Sequence, residues 1–147
     1  MTSEKVNPKL SLNDTAKNIP WKTVCADWDH EGIKIRILRG PGAFCTYLGI
    51  PNNHPLANLD YDSVNVNCHG GLTFGQKGFI DKIDGKILLS PSYYWYGYDY
   101  AHAGDCIYFL PKCSKYVTQG KDWTLQEVID DAEEAILSLN ELMLKTK

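Results

Sequence analysis

From Glu31 to Arg39 the chain sets Ile33, Ile35 and Ile37 against Lys34 and Arg36, the period-two alternation of a strand with one buried face and one wet, positive face. Gly40-Pro41-Gly42 punctuates it, and Ala43 to Ile50 reads as a second strand that ends at the turn Pro51-Asn52-Asn53-His54-Pro55. A helical turn is expected within Leu56–Ser63. Alternation returns over Val64 to Cys68, which predicts a further strand, while Ile87–Ser90 and Tyr93–Tyr98 are short strand candidates around Pro91. Asp84-Gly85 suits a tight hairpin turn.

The pattern changes period at Thr124. Thr124-Leu125-Gln126-Glu127 is a capping box, with Trp123 and Val128 placed for a hydrophobic staple. Leu125, Val128, Ile129, Ala132, Ile136, Leu139, Leu142 and Met143 then recur at three- and four-residue steps, and the acids are expected on the opposite face. These readings predict an α+β fold: a small, mainly antiparallel sheet with one long C-terminal amphipathic helix packed on it. Residues 1–20 show no sustained period and read as a flexible or surface-draped arm; residues 21–147 read as one domain.

Charge narrows the partners. The net charge of −3 is concentrated after Thr124, where six acids face two lysines, so the rest of the chain is close to neutral. That excludes the basic surface of a nucleic-acid binder. No apolar stretch is long enough to cross a bilayer and the N-terminus lacks the apolar core of a signal peptide, so a soluble, cytoplasmic protein without a membrane partner is expected. Five cysteines without a C-x-x-C pair read as free thiols. The helix stripe fits core packing or a seam between copies, which leaves a homo-oligomer open.

Candidate chemistry lies in two blocks, Cys68-His69-Gly70-Gly71-Leu72-Thr73 and Tyr94-Trp95-Tyr96-Gly97-Tyr98-Asp99-Tyr100-Ala101-His102-Ala103-Gly104-Asp105. Each joins a histidine to glycines that let the backbone approach a ligand, and the second adds carboxylates and rings. His69 with Gly70, Gly71 and Thr73 reads either as a nest for an anion or as a plain turn. Asp99, His102 and Asp105 fall at steps of three, as a polar cluster or a loop tie. Tyr96 and Tyr98 share a face and are candidate stacking surfaces, Arg39 is a candidate anion contact and His54 a secondary polar contact. A metal held by His69, His102 and one aspartate is the competing reading, but no H-x-H or H-E-x-x-H spacing supports it, so neither metal nor cofactor is expected. A Cys68 or Cys106 thiolate lacks any recognisable orienting group.

Arg39-Gly40-Pro41, Tyr47-Leu48-Gly49-Ile50-Pro51, His54-Pro55, Tyr61-Asp62, Cys68 to Thr73 and Gly97 to Asp105, in that order, resemble a family of small proteins of bacteriophages and bacteria. The likeness spans roughly residues 36–106. It departs at Tyr100, where members often carry cysteine, and at Trp95, where they carry a Trp-Trp pair. The resemblance implies a shared site. A looser likeness, to compact phage proteins that sequester the nucleotide signals of bacterial immunity, implies a binding protein for a nucleotide-derived small molecule such as a cyclic ADP-ribose isomer or cyclic dinucleotide. A metal-assisted hydrolase of such a molecule and a protein inhibitor of a host defence enzyme are the alternatives.

Overall fold

The computed structural model describes residues 5–108 and 120–146. Its strands are β1 (Val24–His30), β2 (Ile33–Arg39), β3 (Phe44–Pro51), β4 (Phe74–Gln76), β5 (Phe79–Ile80), β6 (Ile87–Leu89) and β7 (Tyr93–Asp99), followed by the helix α1 (Leu125–Lys145). Five strands form one antiparallel sheet in the order β1-β2-β3-β7-β4, and β5 and β6 pair separately. This is the expected α+β arrangement, with α1 packed on the larger sheet. No described helix is long and apolar enough to cross a membrane.

Alternation along each strand decides which side faces the helix. Ile33, Ile35 and Ile37 of β2, Phe44, Leu48 and Ile50 of β3, and Tyr96 and Tyr98 of β7 are buried in one core with Leu125, Val128, Ile129, Ala132, Ile136 and Leu139 of α1. The wet face predicted for β2 is partly covered: Lys34 stays open to solvent, whereas Arg36 donates to the Leu88 carbonyl at 2.8 Å, which draws the β5–β6 hairpin across that face of the sheet. Trp95 helps, its indole N–H reaching the Ser90 carbonyl at 2.8 Å.

β1 escapes the sequence reading because its burial is uneven. Cys25 and Ala26 are consecutive buried residues at a register shift, and Asp27 and Asp29 then face solvent. Glu31 and Gly32 carry the β1–β2 turn with φ of +47° and +86°, the left-handed pair that a two-residue hairpin requires.

The strand predicted over Val64–Cys68 is absent. Val64 and Val66 are buried and Asn65 and Asn67 exposed, so the alternation is real, but the segment joins no ladder. It lies against α1, where the Asn67 N–H reaches Ser138 Oγ at 2.9 Å. The expected helical turn is a short 3-10 turn at Tyr61–Ser63.

The capping box forms as predicted, with the Glu127 N–H on Thr124 Oγ1 at 3.2 Å and the Thr124 N–H on Glu127 Oε1 at 3.1 Å. The preceding chain completes it. The Leu125 and Gln126 N–H groups, which a helix start leaves without intrahelical partners, donate to the carbonyls of Asp14 (2.8 Å) and Leu12 (3.0 Å). Ala16 and Ile19 are buried beside them.

Candidate functional site

The two glycine-rich blocks meet at one end of the sheet, next to the N-terminal half of α1. The first is a tight turn closed by the Gly71 N–H on the Cys68 carbonyl at 3.1 Å, and its Gly70 and Gly71 take φ of +71° and +77°. Gly70 has a second reason to be glycine. A Cβ there would stand 2.4 Å from His102 Nε2, so the imidazole packs directly on the bare backbone. At Gly71 the same position opens onto free space.

The second block leaves β7 at Asp99 and folds into a loop around Asp105. Asp105 is 3% exposed, and its carboxylate accepts from His69 Nε2 at 2.8 Å, the His102 N–H at 3.0 Å and Trp123 Nε1 at 2.9 Å. Burial pushes this carboxyl up, but those three donors outweigh it and hold it below the usual carboxylate value. Asp105 therefore acts as an ionised hub. Trp123 is delivered by the chain entering α1, where Lys121 exchanges backbone bonds of 2.8 Å with Gly104 and Cys106.

The His69 ring is oriented from three sides. Tyr100 stacks on it at 4.6 Å with the planes 4° apart, while Trp123 and His102 meet it edge-on at 4.8 and 5.4 Å. Asp131 ties this arrangement to the helix, accepting from the Tyr100 hydroxyl at 2.6 Å and from the His69 N–H at 3.2 Å. Burial raises the Tyr100 phenol far above its ordinary value, so it stays a donor. The side chains of His69 and His102 remain 23% and 31% exposed, which leaves both imidazoles an edge open to a ligand.

With Nε2–H committed to Asp105, a neutral His69 presents Nδ1 as an acceptor. His102 is less settled. Its Nε2 is 3.5 Å from Asp99 Oδ1, close enough for charge attraction, yet it is buried and makes no hydrogen bond among the described residues. Asp99 itself closes a turn by accepting the Ala101 N–H at 3.0 Å.

The structure thus brings together His69, Gly70, His102 and Asp105, with Gly71 and Asp99 at the edge. The other candidates do not face the corner, although the Tyr98 ring lies behind it, 6.1 Å from Tyr100. Tyr96 and Tyr98 are 0% and 1% exposed in the core, so the face assigned to stacking is the face that packs on the helix. The Tyr96 hydroxyl is spent on the Leu56 carbonyl at 2.5 Å. Arg39 is also buried, and its guanidinium donates to the carbonyls of Ala16, Gly40 and Tyr108, so it braces backbone rather than facing an anion. His54 Nδ1 accepts the Leu56 N–H at 3.0 Å within its own turn, and Thr73 is exposed with its N–H on the Gly97 carbonyl at 2.9 Å.

Tyr100, Trp123 and Asp131 are site residues that the sequence reading missed. Asp131 carried a usable signal: it lies three residues after Val128 and four before Ala135, both buried, so a carboxylate there needs donors. The Cys68 thiol beside His69 is pushed up to about 12 by burial, which removes it as a ready nucleophile. Among the described residues no three His, Cys, Asp or Glu side chains are grouped to hold a metal ion. No protein-family model, curated protein or solved structure matches the chain.

Proposed function

We propose that the chain is a small-molecule-binding protein whose ligand sits at the His69–His102 corner. The observation that carries this reading is the pairing of two partly exposed imidazoles, 5.4 Å apart on loops remote in sequence, around a buried carboxylate that orients the His69 ring and, through the His102 N–H, anchors the loop bearing the other. His69 Nδ1 offers an acceptor to a polar guest, and the Gly70-Gly71 turn lets that guest approach the backbone. A nucleotide-derived molecule combines polar groups with a ring suited to the partly exposed Trp123 indole, so the ligand class is a nucleotide signal that the protein sequesters, the role that the phage-protein resemblance implies.

The test is recovery of the guest. The protein is incubated with cyclic ADP-ribose isomers and cyclic dinucleotides, freed of unbound ligand, heat-denatured, and the supernatant analysed by mass spectrometry. Intact molecule released in proportion to protein, and lost with His69→Ala and His102→Ala variants that still fold, supports sequestration. A cleaved product would make the protein a hydrolase, and no uptake would leave an interaction protein in which these loops only build the fold.

A further inference from the structure

The face of the sheet turned away from α1 is only partly covered. The β5–β6 hairpin arches over it and leaves a cavity of about 330 Å³, within the size range of small-molecule sites. Leu38, Tyr47 and Phe74 form its floor; Phe79 and Leu89 form its roof. The floor is rigid: Tyr47 packs on Gly97, where a Cβ would come within 2.7 Å of the ring, and meets Phe74 edge-on at 5.3 Å. At the mouth stand Trp21, 43% exposed, and Ile83, 88% exposed, which leaves apolar surface where a plain core would have sealed it.

The charges around this cavity decide what it accepts. Lys22 is paired with Asp81 and lies 3.5 Å from Asp84, and the Arg39 guanidinium is taken by three carbonyls. A charged guest would therefore enter an apolar space with no free counter-charge, at a large desolvation cost. Water gains little there too, since the polar side chains that reach the walls, Lys22, Asp81 and Arg39, are already partnered. We infer that the cavity beneath the β5–β6 hairpin is a second binding site, for an uncharged, ring-bearing apolar molecule held between the aromatic walls of Tyr47, Phe74 and Phe79. The inference is independent of the corner at His69, which lies beyond the opposite face.

The probe is N-phenyl-1-naphthylamine, an uncharged dye whose emission rises in apolar surroundings, titrated into the full chain. The expected result is saturable one-to-one binding, displaced by naphthalene but not by naphthalene-2-sulfonate at the same concentration, and weakened at least about tenfold, about 1.4 kcal/mol, by the cavity-filling Leu38→Trp. Leu89→Phe fills the same space from the other wall and serves if Leu38→Trp does not fold by circular dichroism. Absence of saturable binding, equal displacement by the sulfonate, or unchanged binding in a folded cavity-filled variant would each overturn the assignment.

Discussion

On the helix side of the sheet, the His69 ring, the His102 N–H and the Trp123 indole, from the turn at His69, the loop at Asp105 and the entry to α1, converge on one buried carboxylate. On the other side, largely apolar walls line an open-mouthed cavity of about 330 Å³ and the neighbouring charges are paired off. The first region is held by direction, because each hydrogen bond needs its partner at one place. The second is held by shape alone. A change in the polar corner should therefore propagate through several residues, whereas a change in the cavity wall should stay local.

The largest effect is expected from Asp105→Ala, which strands the His102 amide and the Trp123 indole at about 1–3 kcal/mol each, for a loss of about 3 kcal/mol in urea unfolding. Tryptophan emission should shift at the same time, since the mutation frees Trp123. If stability falls by less than about 1 kcal/mol, the hub is not holding the corner. Leu89→Ala removes a buried side chain beside an existing void, and about 2 kcal/mol is expected, the low end for core leucines. Its amide spectrum should change only around the hairpin; disturbance reaching His69 would erase the contrast between the two regions.

Gly70→Ala and Gly71→Ala share the cost of a left-handed non-glycine residue, about 1–2 kcal/mol. They differ in what the new methyl meets. The His102 ring resonances should move in Gly70→Ala and stay in place in Gly71→Ala, and equal behaviour of the two would deny the packing of His102 on Gly70. Acid gives the smallest effect. A carboxyl lowered in the folded state contributes stability that is full above its ordinary value, 3.8, and is lost as pH falls through the lower folded value. The stability gap between the wild-type chain and Asp105→Asn should accordingly be flat above about pH 5 and narrow below 3.8. A gap that widens on acidification would reverse the assigned sign.

How much of this could be read from residues alone depended on the range of the interactions involved. The helix with its cap, and strands β2, β3, β6 and β7, rest on local periodicity and were legible. Val64–Cys68 was misread for a physical reason: alternation reports which side chains are buried, and burial under a helix produces the same pattern as burial in a sheet. Tyr96 and Tyr98 were assigned to the correct shared face, but periodicity cannot say whether the core or a ligand lies beyond it. Arg39 looked like an anion contact because carbonyl oxygens brought in from Ala16 and Tyr108 leave no trace in the local sequence. His69, His102 and Asp105 were each singled out from their settings but joined only in the competing metal reading, while Trp123 and Asp131 entered only through contacts that cross the chain.

Strand β7 lies between β3 and β4, so Cys45 pairs with Asp99 while the whole of β4 and the hairpin are held in the intervening loop. The meander β1-β2-β3 closes through short turns, whereas insertion of β7 must first overcome the entropy of a long loop. Pairing of β7 with the β3 edge should thus be the late step of folding, and substitutions in β7 should speed unfolding more than they slow refolding.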